Sequence, residues 1–367
     1  MRTFSCYCGN RLHFENTRCL QCGRSVAFLP DLLRIAAVES ADDGTLRALL
    51  YPSSNRFYRY CRNQTDFQAC NWLIPCEDGA RYCTSCRLND IVPHLGSARN
   101  RILWQRVEAA KRRLMYCILQ LRLPYTGRDQ DPQAGLAFRF LEDLNGNANH
   151  AGCPDWHEPI LTGHRAGLIT INLAEADHSA RERMRESMNE EYRTLLGHFR
   201  HESGHYFWDR LVRDSSWLSG FRDTFDDERL DYANALERYH ADGPPADWQV
   251  RFISAYAASH PWEDWAETWA HYLHMINTLE TAEAYGFTID GAVQQTLTNN
   301  QLSLNGMSTE GEEFEQLIEY WVGLTNAMNA INLSMGLQEA YPFTLCALPI
   351  AKLRFVHALV RSSSAPE

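Results

Sequence analysis

One short segment of the chain combines metal-binding side chains with a side chain that can transfer protons. His201 and His205 are separated by three residues, and Glu202 directly follows the first histidine. On a helix, residues four apart project from the same face, so both imidazoles can reach one metal ion. The carboxylate beside them is placed to take a proton from an attacking water molecule and to pass it to a leaving amine. The spacing therefore predicts zinc-dependent hydrolysis of an amide bond.

Gly204 lies inside this segment and weighs against the alternative of a solvated polar helix face or of core histidines. A glycine inside a helix costs about 1 kcal/mol relative to alanine. Its presence indicates that a neighbouring backbone packs closely against the helix at this point.

A second helix is predicted to supply the third ligand. Ser259 suits an N-cap and Pro261 suits a first turn, so we expect a helix to begin here. This helix stacks three polar residues at intervals of four, Glu263, Glu267 and His271, beside an apolar stripe of Trp262, Trp265, Trp269 and Ile276. Carboxylates on a buried helix are costly unless they bind a cation or accept hydrogen bonds. Spacing alone leaves open which glutamate binds the metal.

Nine of the twelve cysteines fall within the first 86 residues, in closely spaced clusters. In a reducing compartment such clusters indicate metal binding rather than disulfides. The first cluster has two knuckles, each a pair of thiols followed by glycine, which together complete a tetrahedral four-thiolate site from Cys6, Cys8, Cys19 and Cys22.

The second cluster contains five thiols, one more than a tetrahedral zinc ion needs. The preferred ligand set is Cys61, Cys70, Cys83 and Cys86, and spacing alone does not exclude an exchange of Cys70 for Cys76. Sites closed by four thiolates have no open coordination position. Both cysteine clusters are therefore expected to hold structural zinc.

The chain as a whole resembles the bacterial family of zinc-binding metallopeptidases that carry an N-terminal zinc ribbon. The matching stretches are Cys6–Cys22, Cys61–Asn89, His201–His205, His260–His274, Asn332–Leu337 and Tyr341–Phe343. In the second helix each of the two glutamates is followed three residues later by alanine. This pattern also resembles the corresponding helix of gluzincin peptidases, including the anthrax lethal factor type.

The resemblance implies a role for each remaining site residue. It implies that Glu263 is the third ligand of a catalytic zinc ion, and that Glu267 orients a zinc-bound histidine. It further implies that Tyr256, seven residues before the ligand, stabilises the oxyanion, since a phenol can donate a hydrogen bond there. The expected metal content is thus one catalytic and two structural zinc ions.

The residue pattern predicts an α+β fold with helix in excess: a mostly helical, zincin-like peptidase domain with a small edge sheet, preceded by a Cys-rich module. An amphipathic helix is expected from Ala98 to about Leu123, and β-like runs follow at Leu136–Phe140 and Gly167–Leu173. The expected domains are residues 1–30, a zinc ribbon, residues 31–95, a second four-cysteine module, and residues 96–367, the peptidase domain.

The segment Gly167–Leu173 resembles the edge strand along which zincins align an extended peptide. Unpaired backbone groups on such an edge could bind substrate by strand addition. Branched residues suit an internal strand equally well, so the pattern leaves both positions open.

Charge is distributed unevenly along the chain. Residues 1–113 carry 17 Lys and Arg against 10 Asp and Glu, whereas the remainder carries 18 against 36. The acidic bulk disfavours nucleic acid and favours a basic or neutral peptide or protein substrate. With no spanning segment and no signal-peptide pattern, we expect a cytoplasmic protein that is not bound to a membrane.

Two other functions fit the same residues. The double zinc module could recruit a protein or nucleic acid, with the peptidase-like region acting as a metal-stabilised, non-catalytic scaffold. A zinc hydrolase that acts on a non-protein amide is a further alternative, which only substrate screening separates from a peptidase.

Overall fold

The computed structural model describes residues 2–50, 56–142, 160–187, 193–287 and 310–363. The fold is α+β with more helix than strand, as the sequence predicts. The chain divides into two compact units, residues 3–202 and residues 203–367 with the first two residues. This division falls inside one continuous helix, Leu195–Leu211. The predicted domain boundaries at residues 30 and 95 stay a prediction.

Two antiparallel sheets form the N-terminal part of the first unit. A two-stranded ribbon pairs β1 (Phe4–Ser5) with β2 (Arg11–Leu12). A five-stranded meander follows in sequence order, with β3 (Ser25–Leu29), β4 (Arg34–Ser40), β5 (Leu46–Leu49), β6 (Phe57–Tyr60) and β7 (Leu73–Pro75). Its buried face combines small and large apolar side chains, including Ala36, Leu46, Tyr58 and Leu73, so the meander has its own core.

A mixed sheet completes the strands of this unit. Its strands are β8 (Asn89–Ile91), β9 (Ala137–Leu141), β10 (Gly163–Arg165) and β11 (Leu168–Asn172), in the order β10-β11-β9-β8. The β11 strand runs parallel to β9, and β10 pairs antiparallel with β11. Both predicted strand segments are therefore confirmed as strands.

Of the two positions that the pattern allows for Gly167–Leu173, at an edge or inside a sheet, the structure has the internal one in the part of the chain that it describes. There β11 lies between β10 and β9, and β10 and β8 are the edge strands. The cause is a two-residue hairpin turn in which Ala166 and Gly167 have φ values of 46° and 78°. Successive positive φ values match the twist of paired strands and fold Gly163–Arg165 back onto β11.

Among the described residues, the helices that accompany these sheets include α1 (Arg62–Phe67), α2 (Ala98–Gln120) and α3 (His178–Ser187). The α2 helix confirms the predicted amphipathic segment. It begins where the Ser97 side chain accepts a hydrogen bond from the Asn100 amide at 3.4 Å, and it buries most of its apolar residues, among them Leu103, Trp104, Val107, Leu114 and Ile118.

The rest of the chain is helical in the residues described. After α4 (Leu195–Leu211), the helices are α5 (Leu218–Phe225), α6 (Tyr232–Asp242), α7 (Trp248–Arg251), α8 (Pro261–Ala284), α9 (Glu310–Ser334) and α10 (Ala347–Ser363). Among the described residues, no helix joins the length and the apolar character that crossing a bilayer requires.

The N-cap predicted for α8 is off by one residue. His260, not Ser259, is the cap, and its Nδ1 accepts a hydrogen bond from the Trp262 amide at 3.0 Å. The physical reason is Pro261, which occupies the first helical position and therefore assigns the cap to the residue before it. The ring nitrogen of a histidine provides the acceptor that a serine oxygen usually supplies.

The α8 helix forms the centre of the second unit. Trp265 and Trp269 are fully buried in it. In its first turn the buried Asp264 is paired with Lys352 of α10 at 2.5 Å, and Lys352 also donates to the Arg251 carbonyl at 2.8 Å. This charged pair holds the end of α8 that carries Glu263 against α10.

Candidate functional site

Three side chains of the types that bind metal ions come together at the segment His201–His205. His201 and His205 lie one turn apart on α4, and Glu263 lies in the first turn of α8. Each offers an atom within 4.8 Å of the other two. Glu263 is only 1% exposed and His205 only 4%. Two imidazoles and one carboxylate are a donor set that zinc accepts in catalytic sites, where a fourth position stays open. The residues fit such an ion.

Close packing at Gly204 determines how α8 approaches His205. A Cβ atom added at Gly204 would lie 2.9 Å from the Ala266 Cα and 3.2 Å from the Trp269 Cβ. Trp265 Nε1 also donates to the Gly204 carbonyl at 2.8 Å. The close backbone neighbour that the sequence indicated is therefore present, and any larger residue would push the two helices apart.

Glu202 lies on α4 beside His201, and its side chain is 7% exposed. A buried carboxylate beside a histidine that could bind a metal ion suits a general base, because a low-dielectric surrounding strengthens its interaction with the proton it accepts.

The start of α4 is anchored by a buried carboxylate that the sequence analysis did not identify. Glu175, 2% exposed, pairs with Arg193 at 2.6 Å and with the His198 ring at 3.4 Å. Burial alone would raise the pKa of Glu175, but hydrogen bonds and charge from His198 and Arg193 outweigh it and lower the pKa to about 2. The carboxylate therefore stays ionised and connects the segment before α3 to the helix that bears His201.

A phenol contacts the predicted ligand Glu263. Tyr232 Oη donates to Glu263 Oε1 at 2.8 Å, and the same oxygen lies 3.4 Å from His205 Nε2. The Trp262 ring packs against the His205 ring, with 3.9 Å between the ring centroids. The sequence offered no signal for Tyr232, since it lies 31 residues before the ligand and belongs to another helix.

Glu267 is oriented by a serine that sequence reasoning also missed. Ser254 Oγ donates to Glu267 Oε2 at 2.6 Å and accepts from the Ala257 amide at 3.1 Å. The same serine thus connects α8 to the 3-10 turn that begins at Tyr256. The Tyr256 ring packs at 84° against the Tyr239 ring, with 5.8 Å between centroids. The role predicted for Tyr256 in binding the oxyanion stays a prediction.

The first cysteine cluster has the spacing of a tetrahedral thiolate site. Cys6, Cys8, Cys19 and Cys22 lie together, with 3.7 Å between the sulfurs of Cys6 and Cys22 and of Cys8 and Cys19. Zinc–sulfur bonds of about 2.3 Å in a tetrahedron require sulfurs about 3.8 Å apart. The Cys22 amide faces the Cys19 sulfur and, with that of Gln21, lowers the pKa of this thiol to about 6. The arrangement fits a zinc ion.

The second cluster brings together Cys61, Cys70, Cys83 and Cys86, all of them buried. The sulfurs of Cys70 and Cys83 are 3.7 Å apart. Among the described residues Cys76 is not part of this group, although it was the alternative to Cys70. The four residues in the group are those of the preferred set.

Basic residues offset the charge of both clusters. A zinc ion with four thiolates carries a net charge of about −2, so a nearby guanidinium stabilises it. The pKa of the Cys22 thiol is lowered mainly by a hydrogen bond from the backbone amide of Arg24, and further by the Arg24 side chain, against the effect of burial. Arg112 of α2 is buried, which lowers its pKa, but Cys70 and Glu15 raise it above its usual value. Part of the basic excess of the N-terminal region therefore lies beside the cysteine clusters.

A buried ion pair on α2 extends this connection. Lys111 and Glu108 are fully buried, with 3.0 Å between Lys111 Nζ and Glu108 Oε2. Glu108 Oε1 accepts from Asn89 at 2.6 Å, and its Oε2 lies 3.7 Å from the sulfur of Cys86. The second cluster thus lies in direct contact with α2.

A histidine and glutamate site together with two four-cysteine clusters defines a zinc metalloprotein with the donor set of a hydrolase. Comparison with known proteins agrees. The family model described as "Putative zinc-binding metallo-peptidase" matches residues 100–359, and a zinc-ribbon domain model matches residues 3–97. The chain belongs to this metallopeptidase family, and a Cys-rich zinc-ribbon module precedes its peptidase region.

Relatives extend over the whole length of the chain. Uncharacterized proteins of Mycobacterium bovis and of Mycobacterium tuberculosis are 41% identical to it over 362 residues, which is 98% of this chain and 95% of theirs. No solved structure gives a significant match.

Proposed function

We propose that the protein is a gluzincin-type zinc peptidase in which His201, His205 and Glu263 hold a catalytic zinc ion and Glu202 is the general base. The observation that carries the proposal is the convergence of two imidazoles and a buried carboxylate within 4.8 Å, on a chain of the metallopeptidase family. The two cysteine clusters then hold structural zinc ions, for a total of three.

The proposed role of each group in the site follows from its chemistry. A zinc ion bound there supplies a Lewis acid that lowers the pKa of water to about 7 and polarises a peptide carbonyl. Glu202 accepts the proton of the attacking water and delivers it to the leaving amine. Ser254 holds Glu267, and the phenol of Tyr256 is the proposed donor to the oxyanion. The proposed substrate is an extended peptide.

Metal content and one substitution test this function. Purified protein should contain three zinc ions, and mild chelation should remove one of them first, because a site with an open position exchanges its ion faster than a closed one. The freshly loaded protein is incubated with a proteome-derived peptide library, and cleavage is read by mass spectrometry. We expect Glu202→Gln to keep all three ions and the melting temperature but to lose about 10²- to 10⁴-fold in cleavage rate.

Glu237→Gln, on the exposed face of α6, is a matched control that should cleave like the wild type. The peptidase proposal would be wrong if the fresh protein contained only two zinc ions, or if Glu202→Gln cleaved as fast as the wild type. In that case a non-catalytic adaptor that binds partners through its zinc ribbons becomes the better account.

A further inference from the structure

The first turn of α6 places a phenol at the boundary between the buried metal-binding residues and solvent. Tyr232 Oη donates to Glu263 Oε1 at 2.8 Å. Glu263 is 1% exposed, whereas Tyr232 is 38% exposed. The hydroxyl thus reaches a carboxylate that is almost entirely buried, from a residue whose remainder is still in contact with water.

The chain leading into α6 is held firmly on the start of α8. The His260 Nε2 atom lies 3.1 Å from the Leu230 carbonyl oxygen. The Tyr232 ring packs edge-on to His260 and Trp262, with centroids 5.1 and 5.8 Å away. Asp231 caps α6 by accepting from the Asn234 amide at 3.1 Å. The position of the phenol is therefore set by contacts with the same helix that carries Glu263.

Beyond this turn α6 is a surface helix. Ala235 is its buried residue, and its second half reaches the 3-10 turn through the edge-on contact of Tyr239 with Tyr256. A helix that buries so little of itself depends for its position on a few specific contacts. The hydrogen bond from Tyr232 to Glu263 is one of them.

We propose that Tyr232 is a positioning residue that holds Glu263 in its metal-binding orientation, and that it thereby couples the position of α6 to the affinity of the site. This inference rests on the proposed metal site. A neutral phenol occupies one lone pair of the carboxylate and leaves the others for the ion. Because the donor is uncharged, it restrains the carboxylate without neutralising the charge that binds the metal.

The contact also bears on how the carboxylate binds. A glutamate restrained by a hydrogen bond is less free to turn and chelate an ion through both oxygens. When the carboxylate binds through one oxygen, the protein supplies three ligand atoms, and a position is left for water. Loss of the phenol should therefore weaken the site and change the surroundings of the ion.

The test compares Tyr232→Phe with Tyr239→Phe, two removals of one hydroxyl from the same helix. Full-length protein, with zinc in both cysteine sites, is titrated with Zn²⁺ against a competing chelator and, separately, with Co²⁺ under an absorption spectrometer. Tyr232→Phe should bind Zn²⁺ about 10- to 100-fold more weakly, the usual effect of removing an outer partner of a ligand. The visible cobalt bands should also change. Tyr239→Phe should stay within about twofold of the wild type.

Hydrogen exchange distinguishes the positioning role from a purely structural role of Tyr232, because a purely structural role would not change how zinc slows exchange in α6. Adding Zn²⁺ should slow amide exchange across α6 in the wild type and in Tyr239→Phe, but not in Tyr232→Phe. If wild type and Tyr232→Phe bind the third ion equally well, and exchange slows equally in both, the positioning role is overturned. The peptidase proposal would then be unaffected. A wild-type protein that binds no third ion overturns the proposed function, and the role of Tyr232 with it.

Discussion

The cysteine clusters and the histidine–glutamate site are both metal-binding arrangements, but they are assembled in different ways. The first cluster takes all its ligands from residues 6–22 and the second from residues 61–86, whereas the third site joins His205 to a carboxylate on a separate helix. With an ion bound, each cluster would offer four thiolates and be closed, whereas the third site would offer three side chains and leave a position open. The comparison teaches that short-range spacing suffices for a structural site, while a reactive site requires helix packing.

The largest expected effect separates the two kinds of site by stability. Cys83→Ser removes a ligand of the second cluster, and since structural zinc contributes on the order of 10 kcal/mol to the folding of small domains, we expect residues 3–202 to lose their cooperative thermal transition. His205→Ala should lose only the third ion and keep that transition. Zinc stoichiometry and circular dichroism melting measure both. If His205→Ala melted as early as Cys83→Ser, the division into structural and reactive sites would fail.

A smaller effect tests whether helix packing sets up the reactive site. Gly204→Ala inserts a methyl group 2.9 Å from the Ala266 Cα, so we expect a loss of about 1 to 3 kcal/mol in stability and weaker binding of the third ion. The control is Gly163→Ala, where nothing lies within 4 Å of the added atom. Thermal unfolding measures the loss of stability, and chelator competition measures the affinity for the third ion. Unchanged metal affinity in Gly204→Ala would mean that the α4–α8 distance is not critical.

The smallest effect concerns pH. His271 is buried, and desolvation lowers its pKa to about 4, against a smaller opposing effect from Glu267. The unfolded chain binds the proton with a pKa near 6.5, so stability is complete above that value and falls as the pH drops from about 6.5 toward 4. The loss attributable to His271 should reach about 1 to 2 kcal/mol near pH 5 to 5.5.

His271→Gln isolates this contribution, because glutamine has no proton to gain. It also keeps a polar group near Tyr341, whose hydroxyl lies 2.7 Å from His271 Nδ1. The difference in unfolding free energy between wild type and variant should vary with pH only below about 6.5. A difference that is constant from pH 7.5 to 5 would show that the histidine is not held neutral in the folded protein.

The parts of the fold that could be predicted are those with local patterns. The α2 helix follows from apolar residues at intervals of three and four, and β11 follows from branched residues between turn signals. Strand order could not be read in this way. Whether a strand lies at an edge depends on its pairing partners, and the Ala166–Gly167 turn placed β11 inside the sheet.

The candidate site shows the same limit. Both histidines, the first cysteine set and a close backbone neighbour at Gly204 could be proposed from residue type and spacing, whereas spacing left Cys70 and Cys76 exchangeable in the second set. Tyr232, Ser254 and Glu175 could not be proposed, because each contacts the site or its helices through a residue that is distant in the chain. A lone tyrosine, serine or glutamate in a sequence has no spacing that reveals its partner.

By itself, the sequence determined which residues can bind metal, because thiolate pairs on knuckles and histidines one helical turn apart are local arrangements that short-range geometry enforces. Only the tertiary structure decided how Glu263 meets His205 and what holds it there. The reason is physical: the separation of α4 and α8 depends on side-chain volume at Gly204, Ala266 and Trp269, and packing of that kind is a property of two surfaces together, not of either segment alone.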